Sequence, residues 1–159
     1  RSLPDLMIGL KGKNSYADIY AEASHAFAHA SHFMLAGKEY WDHDAGFLVK
    51  SFVTSGFTVY GTGAEEDHGY CEVGEMWAYF FQTVLYRERY GDKNVPKFGD
   101  SKWFRPETLL QLEEKGLDAN RIFQVLESDV TDREMLQKKL TSYYPEYKAA
   151  INEAFALYK

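Results

Sequence analysis

The stretch AEASHAFAHASHF, residues 21–33, carries three of the five histidines in this 159-residue chain. His25, His29 and His32 are four and three residues apart. Because an α-helix advances about 100° per residue, the three side chains fall on one helical face, and Glu22 lies near the same face. The spacing therefore predicts a helix with a histidine-bearing face.

Capping residues mark both ends of this predicted helix. Ser15 is a typical N-cap residue, and Asp18 follows it by three positions, where a capping-box carboxylate lies. Gly37 is a typical residue just beyond a helix C-terminus. The sequence predicts a helix over residues 15–36.

Histidines at positions i and i+4 of a helix can bind one Zn²⁺ ion through ring nitrogens at about 2.0–2.1 Å. The same spacing also occurs in surface residues and in buried pairs that hydrogen bond to other groups. His25 and His29 alone leave these alternatives open. A metal site needs a further ligand from another part of the chain.

A second helix, predicted over residues 71–90, offers that ligand. Glu72 and Glu75 interrupt its otherwise apolar start, CEVGEMWAYFF. Burying a carboxylate in such surroundings costs free energy unless it is paired or bound to a metal. The alternative is that one or both point to solvent or pair with a cation such as Arg87 or Lys50.

These two segments resemble the gluzincin-type zincins, a family of zinc metallopeptidases. SHAFAHASHF, residues 24–33, is similar to their H-E-x-x-H helix, and EMWA, which begins at Glu75, is similar to their glutamate-bearing segment. The resemblance covers roughly residues 5–90. It implies that His25, His29 and Glu75 bind Zn²⁺, with water or substrate at the fourth position.

The resemblance also suggests roles for residues around the ligands. Glu72 would not bind the metal but would hydrogen bond to one of its ligands. His32 would either support a ligand in this way or act as a ligand itself in a three-histidine site. Tyr60 and Tyr70 flank a glycine-rich loop and are candidates to stabilise an oxyanion by hydrogen bonding. Ordinary packing is the alternative for both tyrosines.

The chain departs from H-E-x-x-H at its general base, because the glutamate position is Ala26. A methyl group cannot take a proton from the attacking water, so hydrolysis should fall by roughly 10²–10⁴-fold while metal binding persists. Both an engineered substitution and a natural loss fit the sequence. Spacing supports no replacement base among the nearby acids Glu22, Glu65, Glu66 and Asp67.

The remaining front half of the chain predicts a small sheet. PDLMIGL, residues 4–10, is typical of a strand, and residues 47–61 predict a short hairpin or an irregular excursion. Residues 38–46 predict a loop, in which His43 between two aspartates is either a small metal or proton site or simply solvated.

The part of the chain that follows Pro106 predicts only helices. One helix is predicted to begin at Pro106 and to end at Gly116, and the next is capped by Asp118 and reaches about Glu127. A capping box over residues 131–134 opens a third helix, and Pro145 opens a last one that extends to Tyr158. The fold class predicted is therefore α+β and mostly helical. A zincin-like metal-binding half, residues 1–92, packs against a helical subdomain, residues 93–159, as one unit.

Composition limits the partners. The net charge of −6 and scattered Lys and Arg residues argue against nucleic acid, and no apolar run approaches the roughly 20 residues that span a bilayer. Cys71 is the single cysteine, which excludes an internal disulfide.

Because the chain begins with Arg1, we expect a processed or excised piece. An upstream domain would then precede it, or a removed leader would place it outside the cell or in the cell envelope.

The sequence therefore favours a zinc metallopeptidase-like domain, acting on a peptide or protein, whose hydrolysis is crippled by Ala26. One alternative is a non-catalytic protein that uses a zincin scaffold to bind a peptide or glycan. The other is a plain helical domain in which the histidines and glutamates form a buried polar network without metal.

Overall fold

The computed structural model describes residues 15–54, 60–93, 95 and 103–156. Every regular element within these ranges is helical. In chain order they are α1 (Tyr16–Ala36), α2 (Lys38–Thr54), α3 (His68–Tyr90), α4 (Glu107–Glu114), α5 (Ala119–Phe123), α6 (Arg133–Tyr143), a 3₁₀ turn (Pro145–Tyr147) and α7 (Lys148–Phe155).

The predicted α+β class is wrong for the described residues, which form helices and no sheet. Residues 38–54, predicted as a loop followed by the start of a short hairpin or an irregular excursion, form the continuous helix α2. Its buried side chains recur every three or four residues: Tyr40, Asp44, Phe47 and Ser51. Packing of this helical face outweighs the strand preference of its aromatic and β-branched residues. The predicted strand at residues 4–10 and residues 55–59 lie outside the described ranges.

Helices α1 and α3 pack against each other in antiparallel orientation. The Tyr20 and Tyr90 rings are 5.7 Å apart, and the Trp77 indole donates a hydrogen bond of 3.1 Å to the Ala28 carbonyl. Small side chains such as Ala21 on the buried face of α1 allow this close approach. The predicted limits of α1 are confirmed, because its N-cap side chain accepts the Asp18 N–H and the helix ends before a glycine at φ 90°.

Helix α2 turns back from α1 after a single residue, Gly37, and runs beside the first half of α3. The Tyr40 hydroxyl donates a hydrogen bond of 3.0 Å to the Tyr70 carbonyl. One turn further along both helices, Asp44 lies next to Gly74. The three helices α1, α2 and α3 therefore meet around the middle of α1.

The helices predicted beyond Pro106 are confirmed, because every regular element in residues 106–156 is helical. Asp118 caps α5, but α5 ends at Phe123 rather than near Glu127. The cap of α6 is Asp132, one residue later than predicted, and it accepts the Met135 N–H at 2.8 Å. Side chains from α3 through α7 share one hydrophobic core, which includes Trp77, Phe80, Leu109, Leu112, Ile122, Leu126, Leu136, Leu140 and Ile151.

Gly46 lies in the middle of α2, and a Cβ atom added there would meet no atom within 4 Å. Gly46→Ala should therefore raise the free energy of unfolding by about 0.5–1 kcal/mol, because alanine loses less conformational entropy in a helix. Urea denaturation measures this change. Gly37→Ala is the matched control and should destabilise, since Gly37 has φ 90°. An unchanged or lower denaturation midpoint for Gly46→Ala would contradict the prediction.

Candidate metal centre

The structure brings together the three ligands that the resemblance implies. His25 and His29 lie one turn apart on α1, and Glu75 faces them from α3. Their two Nε2 atoms are 3.2 Å apart. Glu75 Oε1 is 3.3 Å from His29 Nε2, and Glu75 Oε2 is 3.5 Å from His25 Nε2. These residues form a group whose ligand atoms all lie within 4.8 Å of one another.

The spacing of these atoms fits one small metal ion. Tetrahedral coordination with bonds of about 2.0–2.1 Å places ligand atoms about 3.3–3.4 Å apart. The three measured distances, 3.2, 3.3 and 3.5 Å, fall around that value. Glu75 Oε2 is also buried and accepts no hydrogen bond from the described residues. The triad thus offers two imidazoles and a carboxylate, a ligand set that suits zinc.

Gln82, two turns after Glu75 on α3, orients the imidazole of His25. The His25 Nδ1–H donates to Gln82 Oε1 at 3.1 Å. In a neutral ring the lone pair then lies on Nε2, which faces Glu75. Sequence reasoning missed Gln82. The signal was available, because a polar residue seven positions after Glu75 returns to nearly the same face of α3.

The interactions between Glu75 and the two histidines shift their pKa values in the direction opposite to burial. Burial alone would raise the pKa of Glu75, but hydrogen bonds and charge from His25 and His29 lower that pKa to about 2. Burial alone would lower the pKa of His29, but its contact with Glu75 raises that pKa above the usual value. Without metal, a proton therefore supplies positive charge beside the Glu75 carboxylate.

Asp44 is a second residue that sequence reasoning missed. It was predicted in a loop, either beside His43 in a small metal or proton site or simply solvated, yet it lies on α2 and only 4% of its surface is exposed. Burial raises its pKa to about 6, the nearby Glu75 charge acts in the same direction, and His29 opposes both. The positions Tyr40, Asp44 and Phe47 have helical spacing, and this signal could have placed Asp44 on a buried face.

His32 lies two turns beyond His25 but faces α2 rather than the triad. Its ring centroid is 4.7 Å from that of Tyr40, and only 3% of the residue is exposed. Its Nε2 atom has no hydrogen-bond partner among the described residues. Burial and the neighbouring charge of His29 lower its pKa to about 3, so the ring is neutral at physiological pH.

The structure places Glu72 against α6, away from the triad. The Arg133 guanidinium donates a hydrogen bond of 3.1 Å to Glu72 Oε1, and the carboxylate is buried. Burial raises the pKa of Glu72, and Arg133 offsets part of that shift. Glu72 therefore joins two helices by an ion pair instead of contacting a metal ligand.

The two tyrosines proposed as oxyanion donors differ in position. Tyr60 is half-buried beside Phe104, and burial and then the charge of Glu75 raise its pKa. The Phe104 ring stacks on Tyr79, which contacts the His25 ring. Tyr70 stacks on His43 at 4.7 Å, and its pKa is raised by burial and by acids outside the triad. The structure keeps Tyr60 as a candidate and places Tyr70 elsewhere.

Ala26 is half-buried on α1, next to His25, and provides no proton acceptor. Two of the four acids considered as replacements are engaged elsewhere. Glu65 accepts backbone N–H groups of its own loop, and Glu66 pairs with Lys50 at 3.7 Å. Glu22 is exposed on α1, one turn before Ala26, and contributes to the raised pKa of Tyr60.

No protein-family model matches the chain, and no curated protein or solved structure shows significant similarity to it. The resemblance to gluzincins therefore depends on the sequence motifs around His25, His29 and Glu75. Among the described residues, no helix combines the length and the hydropathy needed to cross a bilayer.

Proposed function

We propose that this chain is a zinc-binding, metallopeptidase-like domain of the gluzincin kind, in which the general base is missing. The observation that carries the proposal is the triad of His25, His29 and Glu75, whose ligand atoms have the mutual distances of a tetrahedral site. Its two histidines and its glutamate come from two facing helices, α1 and α3.

When bound, zinc supplies a Lewis acid that polarises a carbonyl group and makes a water molecule more acidic. The chain supplies the environment for that chemistry. Gln82 fixes the ring of His25, and the half-buried Tyr60 can donate a hydrogen bond to a developing oxyanion. Ala26 cannot move a proton, so we expect peptide hydrolysis by this chain to be slow.

Zinc content is the decisive test of the site. After stripping and reconstitution, the purified chain should hold one zinc ion, measured by elemental analysis. Glu75→Ala should lose that ion, because it removes the buried carboxylate ligand, whereas Glu88→Ala, an exposed change on the same helix, should keep it. A folded wild-type chain without zinc would overturn the proposal and leave the buried polar network as the explanation.

Ala26 also supports a second candidate function, a non-catalytic zincin scaffold that binds a peptide or glycan. A complete ligand triad without a base can hold a carbonyl or carboxylate group but cannot drive hydrolysis. Tyr79, which is half-buried and whose ring lies 4.5 Å from the His25 ring, offers contact area for such a partner. Restoring a base at position 26 separates this candidate from the first.

A further inference from the structure

Asp44 is a buried carboxylate that the three proposed ligands do not explain. Only 4% of the surface of Asp44 is exposed, and its Oδ1 atom has no hydrogen-bond partner among the described residues. None of the ion pairs in the described ranges includes it. Burying a carboxylate in this way costs free energy unless a nearby group compensates for it.

The group that faces Asp44 is the imidazole of His29. Gly74, the residue before Glu75 on α3, has no side chain to separate them. The position that a Cβ atom on Gly74 would occupy is 3.8 Å from His29 Nδ1 and 3.9 Å from Asp44 Oδ2. That position is also 3.8 Å from His29 Cε1, so Asp44 Oδ2 and the Cε1–Nδ1 edge of the His29 ring both flank the space above Gly74.

The other ring nitrogen of His29 faces the opposite way. Its Nε2 atom lies 3.3 Å from Glu75 Oε1 and 3.2 Å from His25 Nε2. A neutral imidazole carries its proton on one nitrogen and its lone pair on the other. An acceptor on the Nδ1 side therefore favours the tautomer whose lone pair points into the triad.

We propose that Asp44 is a positioning residue for the metal centre. It accepts the Nδ1–H of His29 and thereby holds the His29 ring with Nε2 directed at the metal position. Gln82 on α3 accepts the Nδ1–H of His25 in the same way, so each ligand imidazole has a hydrogen-bond acceptor at its Nδ1 atom. This inference depends on the proposed zinc site and adds α2 to the elements that build it.

Zinc affinity tests this role, measured by competition with a chromophoric chelator. Asp44→Ala should weaken zinc binding by about 10–100-fold, the usual cost of losing such an acceptor. Asp44→Asn should lie between Asp44→Ala and wild type, because its amide oxygen still accepts a hydrogen bond. Asp42→Asn, an exposed change on the same helix, should leave the affinity unchanged.

A second measurement separates positioning from folding. In the Co²⁺-substituted chain, the Nδ1–H proton of His29 should give a paramagnetically shifted NMR signal that exchanges slowly with water. Asp44→Ala should broaden or remove that signal while circular dichroism shows unchanged helix content. A purely structural role would leave the signal of a folded variant in place.

The outcomes distinguish this inference from the proposed function. If wild type binds zinc and folded Asp44→Ala binds it equally tightly, the role of Asp44 is overturned and the zinc site stands. If folded wild type binds no zinc, the zinc site is overturned and the role of Asp44 with it.

Discussion

Replacing Ala26 with glutamate is expected to increase zinc-dependent peptide hydrolysis by about 10²–10⁴-fold over the chain as it stands. Ala26 is next to His25 on α1 and is half-buried, so a carboxylate there would lie beside the triad. It could take a proton from the attacking water and pass it to the leaving amine. The ligand triad needs no change, because this residue is not a ligand.

The measurement is the cleavage rate of a quenched-fluorescence peptide library by Ala26→Glu, with and without a zinc chelator. Ala26→Gln is the matched control, since glutamine has nearly the same volume but cannot accept the proton at neutral pH. Only the glutamate variant should gain activity, and the chelator should remove the gain. Equal rates for both variants, with zinc bound, would favour the non-catalytic binding scaffold.

Asp44→Asn is expected to stabilise the metal-free chain by about 3 kcal/mol at pH 7. Folding raises the pKa of Asp44 from 3.8 to about 6, and each pKa unit corresponds to about 1.4 kcal/mol. The folded state therefore binds more protons than the unfolded state between these two values. The wild-type chain loses stability relative to Asp44→Asn as the pH rises from about 4 to 6, and the difference is constant above that range.

Urea denaturation in the presence of a chelator, at several pH values from 4 to 8, measures this difference. Asp42→Asn is the control, because its carboxylate is exposed beside Lys38 and its removal should have a small effect at every pH. The same stability difference between Asp44→Asn and wild type at pH 4 and pH 7 would contradict the prediction. Greater stability with weaker zinc binding would mark Asp44 as a residue kept for function at the expense of stability.

The sequence predicted the two helices that carry the triad of His25, His29 and Glu75, because the signals for these helices are local. Capping residues fixed the ends of α1, and the spacing of His25 and His29 fixed which residues share a face. Helix α3 begins three residues before its predicted start and ends where predicted, followed by Gly91. Local rules suffice here because each depends on residues within one or two turns.

The other features depend on tertiary contacts. Helix α2 was missed because its strand-like composition is overridden by packing of Tyr40 and Phe47. Glu72 and Glu75 are three residues apart, which separates them by about 60° around α3. That angle is enough to direct Glu72 to Arg133 on α6 while Glu75 faces α1. Spacing indicates a shared face but not which neighbouring helix each side chain meets.

The antiparallel contact of α1 and α3 has a consequence for how the fold is held together. His25 and His29 precede α2 in the sequence and Glu75 follows it, so an ion bound by all three would act as a cross-link between distant segments. Such an ion binds the folded chain and not the separated helices. At a free concentration of about 100 times its dissociation constant it would add about 2.7 kcal/mol to the stability. The zinc supply of its surroundings would then set how much the ion adds to the free energy of unfolding.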